Sequence, residues 1–287
     1  RAYSEIARVD SDGRHWLRLG AALRIADFFA SEAVRENIPG IEEFETQFAS
    51  SLVRNLATLG GNIVNASPVA DLSAMLLGLG AWVELGSLSG AGRERRRQSL
   101  DSFFIGYKKT AMEAGEFVAA ILLPASSEGS EFAGSGAYDG EQGGKSLTGR
   151  FEGGIGFGAR GGRLFFSFEK AAKRDNLDIA AVNTAMSFRM DDAFARSVRI
   201  SAGGVAEVPL LLGKAASAME GSRIKGAKAK DLAELCRTVR KLAEEELRPI
   251  DDVRGSASYR RSMIGRLVQA HFLRFFARDG IAEELEP

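Results

Sequence analysis

The chain has 287 residues, 45% of them hydrophobic and 26% charged, enough to bury a sizeable core and to form about two domains. Its 38 basic and 38 acidic residues cancel, and the densest basic run, Arg93-Glu94-Arg95-Arg96-Arg97, has no interleaved aromatics, which argues against nucleic acid and for the solvated edge of a strand or hairpin. No apolar stretch reaches membrane-spanning length and the first residues resemble neither a signal nor a transit peptide, so the expected location is the cytoplasm.

In "RHWLRLGAAL", Leu17, Leu19, Ala21 and Leu23 alternate with Arg18 and Gly20, which predicts a half-buried strand. "RIADFFASEAVREN" predicts a helix. "IEEFETQFASSLVRN" predicts another, with Ile41, Phe44, Phe48 and Leu52 at helical spacing, ending near Gly60-Gly61. In "LATLGGNIVNASPVADLSAML", Ser67 suits a helix N-cap, Pro68 the first helical position and Asp71 the electropositive first turn, so a helix is expected to start at Ser67. Gly60 and Gly61 fit two readings: a tight strand-to-helix turn, or a cradle whose backbone N–H groups point together at an anion. The residues alone leave both open.

"GAWVELGS" predicts a strand, "SLDSFFIGYKKT" a strand end with a short helix or turn, and "GEFVAAILLP" a strand closing the first region at Pro124. Residues 125–162 are glycine- and serine-rich with few large apolar side chains, and read as a flexible insertion, loop or linker. "GRLFFSFEKAA", "DIAAVNTAMSFRM" and "RSVRISAGGVA" are strand-rich, although the second also fits a helical start. Helices follow over 231–247, with Leu232, Leu235, Val239 and Leu242 on one face, and over 257–278. Cys236, the single cysteine, lies in the first of these as a packing residue and permits neither an internal disulfide nor an iron–sulfur cluster; His15 and His271 lack ligand spacing, so no metal site is expected. Both halves read as α+β.

"ATLGGNIVNASPVADL", "FFIGYKKT", "GEFVAAILLP", "KAAKRDNLDIAAV" and "DVRGSASYRR" occur in the order, and mostly with the spacing, of the FAD-binding medium subunit or domain of molybdenum hydroxylases, the family of xanthine dehydrogenase and carbon monoxide dehydrogenase. The resemblance covers nearly the whole chain apart from residues 125–162. It implies an α+β FAD-binding domain of the PCMH type over 1–124, a glycine-rich insertion over 125–162, and over 163–287 a smaller α+β flavoprotein C-terminal domain with a short antiparallel sheet and helices. In the family a preceding subdomain carries a second glycine-rich loop of the form Ala-Gly-Gly-Thr-Asp; the sequence starts after the point where it is expected, so the resemblance implies a domain lacking its first subdomain in this chain.

Carried over position by position, the resemblance implies that Thr58, Gly60, Gly61 and Asn62 lie at the FAD phosphates and adjoining groups, and Ser67 and Asp71 at the ribityl and ribose hydroxyls. Phe48 and Val118 match side chains that pack on the cofactor's rings, and Lys170 matches a lysine near the flavin. The implied partners are a molybdopterin-binding large subunit and a small subunit holding two 2Fe–2S clusters, with electrons leaving the flavin for NAD+ or another acceptor. The implied activity is that of an oxidoreductase component with no catalytic side chain and no metal of its own. A benzoyl-CoA-reducing branch carries a cluster in an insertion near 125–162, a role excluded by the absence of cysteine there. Two other readings are a docking subunit that has lost FAD and a stand-alone FAD-dependent reductase of the same superfamily.

Overall fold

In the computed structural model, residues 3–11, 13–87, 95–125, 162–174 and 177–285 are described. The expected insertion at 125–162 therefore falls outside them except for its two end residues, as do Arg93 and Glu94 of the basic run. Among the described residues, no helix is long and apolar enough to cross a membrane.

The first region is a five-stranded antiparallel sheet with helices on one face. Strands β1 (Ile6–Ser11) and β2 (Arg14–Gly20) form a hairpin, and Leu17 and Leu19 point into the core as the alternation predicts. Four short helices and one 3-10 segment follow: α1 (Ile25–Ala30), α2 (Glu32–Asn37), the 3-10 turn Ile41–Gln47, α3 (Ser51–Leu56) and α4 (Leu59–Val64). Helix α5 (Asp71–Gly78) precedes β3 (Trp82–Ser87) and β4 (Arg95–Ser99). A short helix α6 (Leu100–Phe103), the hairpin β5 (Phe104–Gly106) and β6 (Lys109–Thr110), and β7 (Glu116–Pro124) complete it. The sheet order is β1-β2-β7-β3-β4.

Local chemistry overrides the sequence expectation in four places. The helix expected through "RIADFFASEAVREN" is two, because the Ser31 hydroxyl accepts the Val34 N–H and caps a new start. The helix expected through Ile41, Phe44, Phe48 and Leu52 breaks at Ala49, which has φ 44°; the Arg54 guanidinium holds the Phe48 and Ala49 carbonyls at 2.8 and 3.0 Å, and Leu52 is 75% exposed. Gly60 and Gly61 lie inside α4 and neither has positive φ. Gly60 serves close packing instead, since a Cβ there would meet Cβ and the carbonyl oxygen of Ala21 at 2.7 and 2.9 Å. Residues 67–70 form a turn closed by Ala70 N–H on the Ser67 carbonyl, and the helix starts at Asp71 with Ala70 as N-cap.

The second region is an antiparallel sheet of order β11-β10-β9-β8, made from β8 (Arg163–Ala171), β9 (Val182–Asp191), β10 (Phe194–Gly203) and β11 (Leu210–Leu211). Helices α7 (Gly213–Met219), α8 (Ala229–Glu246), α9 (Ala257–Phe276) and α10 (Ile281–Glu284) follow. Alternation sends the strands' side chains to two cores. Phe166, Phe168 and Ala185 join the first region's core, whereas Val182, Met186, Phe188, Val198 and Ile200 pack with Leu232, Val239, Cys236 and Phe272. Burial pushes the Cys236 thiol up to about 12, in keeping with a packing residue.

Helix α5 is the shared spine. All eight of its residues are buried, which is why "DLSAMLLG" shows no polar face. Side chains of the second sheet satisfy its last carbonyls: Ser201 Oγ donates to Ala74 O at 2.7 Å, Arg199 Nε to Leu77 O at 3.1 Å and Ser187 Oγ to Gly78 O at 2.7 Å. Gly78 permits the approach, since a Cβ there would lie 2.8 Å from Ala185 Cβ.

Candidate functional site

At the start of α5, three stretches of chain far apart in sequence, at residues 47, 69–71 and 170–183, meet on one ion pair. Lys170 Nζ, on β8, lies 2.7 Å from Asp71 Oδ2, with the two side chains 7% and 10% exposed. It also donates to the carbonyls of Gln47 at 2.9 Å and Asp178 at 2.8 Å, so all three ammonium N–H groups are engaged by protein acceptors. Asn183 Nδ2, on β9 opposite Lys170, donates to Asp71 Oδ1 at 2.6 Å and to the Val69 carbonyl at 3.4 Å. Burial raises the Asp71 carboxyl above the usual aspartate value, opposed by Lys170 and by the hydrogen bonds from Lys170 and Asn183. Donors on both oxygens hold it as the carboxylate.

The remaining sequence-predicted residues all lie in the first region. Phe48 directly follows Gln47; its ring is 7% exposed and tilted 6.5 Å from that of Phe29. Thr58 caps α4, its Oγ1 accepting the Gly61 N–H at 3.1 Å. Asn62 faces the α5 start, its Oδ1 accepting from Ser73 Oγ at 3.4 Å. Ser67 opens the turn into α5 and is half-buried. Val118 lies on β7 opposite Leu85 and is 8% exposed. The "FFIGYKKT" hairpin joins from the side, with Lys108 Nζ on Asn65 Oδ1 at 2.8 Å.

The anion cradle expected at Gly60-Gly61 takes a different form. Leu59 N–H is spent on the Leu23 carbonyl, Gly60 N–H on the Ala21 carbonyl, Gly61 N–H on Thr58 Oγ1 and Asn62 N–H on the Thr58 carbonyl. Among the described residues, the Thr58 hydroxyl and the Asn62 amide oxygen act as acceptors, which leaves the hydroxyl O–H and the amide N–H groups as donors there. Gly61 is exposed, and a Cβ there would touch only Thr58 Oγ1, at 3.1 Å, so a bare backbone surface lies beside those donors.

Asn183, Arg54 and the carbonyls of Gln47 and Asp178 are constituents that sequence reasoning misses. Asn183 leaves a trace, an amide inside the otherwise apolar run "AAVNTAMSF". Carbonyls carry no signal of residue type.

Comparison with known proteins gives a consistent picture. Residues 3–126 match the family model for the FAD binding domain in molybdopterin dehydrogenase, and residues 167–275 that for the CO dehydrogenase flavoprotein C-terminal domain. The nicotinate hydroxylase of Emericella nidulans is 30% identical over 232 residues, covering 80% of this chain and 14% of that protein. The nicotine 6-hydroxylase medium subunit of Paenarthrobacter nicotinovorans is 23% identical over 273 residues, covering 95% of this chain and 79% of that subunit. Thus the chain spans about a seventh of the first relative and most of the second. Among solved structures, quinoline 2-oxidoreductase from Pseudomonas putida 86 superposes with a TM-score of 0.71 at 23% identity, over 97% of this chain and 79% of that one, a likeness of fold.

Proposed function

The chain belongs to the FAD-binding flavoprotein family of molybdopterin dehydrogenases, and from that premise we propose that it is the cytoplasmic flavin-carrying component of a molybdenum hydroxylase complex. In this reading a large subunit oxidises substrate at a molybdopterin centre, a small subunit relays electrons through 2Fe–2S clusters, and this chain delivers them to NAD+ or another acceptor. Bound FAD supplies the exchange between paired and single electrons. The chain's residues hold and orient it.

The carrying observation is the convergence of the Gln47 carbonyl, Asp71 and the Asp178 carbonyl on Lys170, with Asn62 hydrogen-bonded to Ser73 in the first turn of α5. In this reading Thr58 and Asn62 would donate to phosphate oxygens, Ser67 and the turn that Asp71 anchors would orient the ribityl and ribose hydroxyls, and Phe48 and Val118 would exclude water from the rings. Lys170 has no N–H left for a flavin. It acts by fixing three backbone segments and through the residual field of its pair with Asp71.

The purified chain, incubated with FAD and desalted, should retain absorption bands at about 375 and 450 nm, a property of bound oxidised flavin. A colourless protein that leaves flavin fluorescence unchanged on titration would overturn the proposal.

A further inference from the structure

Arg260 lies in the first turns of α9, in the motif "DVRGSASYRR", and is 3% exposed. Among the described residues, its hydrogen bonds go to none of the residues assigned above. Its Nη2 donates to Asp252 Oδ1 at 2.5 Å, and Asp252 is braced by the Arg254 N–H at 2.7 Å and by a backbone bridge to Gly255. Its Nη1 donates to the Gly204 carbonyl at 2.6 Å.

Gly204 is the relevant contact. At φ 78°, it turns its own N–H onto the Pro68 carbonyl at 2.7 Å, inside the turn that carries Ser67 and leads into Asp71. The fit has no slack: a Cβ on Gly204 would lie 2.4 Å from the Ala181 carbonyl oxygen, and one on Gly203 would lie 2.3 Å from Asn183 Oδ1 and 3.1 Å from the Pro68 carbonyl oxygen. Asn183 in turn holds Val69 O and Asp71. Gly204 thus joins the Arg260 guanidinium, through its carbonyl, to the turn, through its N–H.

We infer that Arg260 is a positioning residue for the cofactor site: clamped by Asp252, it fixes the Gly204 backbone through the carbonyl, and the Gly204 N–H fixes the turn presenting Ser67 and Asp71. This rests on the FAD site proposed above. Because coupling between two sites is reciprocal, FAD held at that turn also steadies Gly204 and the start of α9.

The test uses the full chain with Arg260→Met and Asp252→Asn, each with and without Ser67→Ala. FAD affinity is read by flavin fluorescence, and amide exchange at Gly204 is followed with and without FAD. Arg260→Met should weaken FAD binding about tenfold, the size of a typical coupling between linked sites. Asp252→Asn should weaken it less. Ser67→Ala should cost affinity in the wild type and much less in either variant, since the hydroxyl is then already misplaced. FAD should slow exchange at Gly204 in the wild type but not in Arg260→Met.

Unchanged affinity in folded Arg260→Met, or losses that simply add with Ser67→Ala, would show a purely structural arginine and overturn the inference while leaving the flavin reading intact. A wild-type chain that takes up no FAD overturns both. Should Arg260→Met fail to fold, Asp252→Asn decides by the same cycle: its side chain is 29% exposed and its loss leaves the fold's cores untouched.

Discussion

Replacing Lys170 by Met separates a post buried within the fold from a surface charge. The substitution leaves the Asp71 carboxylate, 10% exposed, with Asn183 as its remaining side-chain donor, and strips a donor from the Gln47 and Asp178 carbonyls. Removing one member of a buried pair costs about 3–5 kcal/mol, because the surviving charge is desolvated without compensation. For a chain of this size that is a fall in melting temperature of roughly 10 °C. Taking away both charges, in Lys170→Met with Asp71→Leu, should recover much of the loss, since apolar replacements of a buried pair are often close to neutral. The double variant should therefore be more stable than Lys170→Met alone, yet both should bind FAD poorly because the Gln47-Phe48 and Asp178 segments are no longer tied to α5. Urea unfolding of the wild type, Lys170→Met, Asp71→Leu and the double variant, paired with flavin titration, measures both effects. A Lys170→Met protein within about 0.5 kcal/mol of wild type, as for an ordinary surface substitution, or a double variant that loses the full sum of the singles, would refute the reasoning.

Gly60→Ala drives a methyl group onto the Ala21 backbone and should destabilise by about 1–3 kcal/mol. Gly61→Ala meets only a hydroxyl and gains helix propensity, so melting should hold or rise while FAD affinity falls; unchanged affinity removes Gly61 from the site. His271 is fully buried, its ring nitrogens on Ser167 and Thr184 hydroxyls, and burial followed by repulsion from Arg274 pushes it down to about 3. The unfolded chain therefore binds the extra proton first, and stability should fall as pH drops from about 6.5 toward 3, at up to about 1.4 kcal/mol per pH unit. His271→Gln should flatten that slope above about pH 5, where ordinary carboxylates do not titrate; an unaltered slope there counts against a neutral buried imidazole. Glu84 would be raised by burial, but Arg18, Arg95 and Arg97 hold it below the usual glutamate value. Its contribution is present above the unfolded value and lost as pH falls through the folded one, so Glu84→Gln should lower melting at pH 7 and matter little in strong acid.

Much of the strand framework was legible in the sequence. Alternation in "RHWLRL" and the β-rich runs "FVAAILL", "LFFSFEK" and "VNTAMSF" encode pleated faces locally, since successive side chains leave a strand on opposite sides whatever surrounds it. The two long C-terminal helices are likewise encoded by their 3.6-residue spacing, and motif order carried the family resemblance. What only the tertiary structure decided are the short elements and the site's connections. Ala49 takes a left-handed conformation where Arg54 gathers two carbonyls around it, and Asp71, expected only as a first-turn acid, becomes an ion-pair partner because β8 brings Lys170 from 99 residues away. Gly60 is glycine for the sake of Ala21, and Gly204 for the sake of Ala181 and Pro68. Propensity and spacing report a residue's near neighbours along the chain. Close approach, desolvation and the destination of a backbone carbonyl depend on what folding brings beside them, and there distance in sequence carries no information.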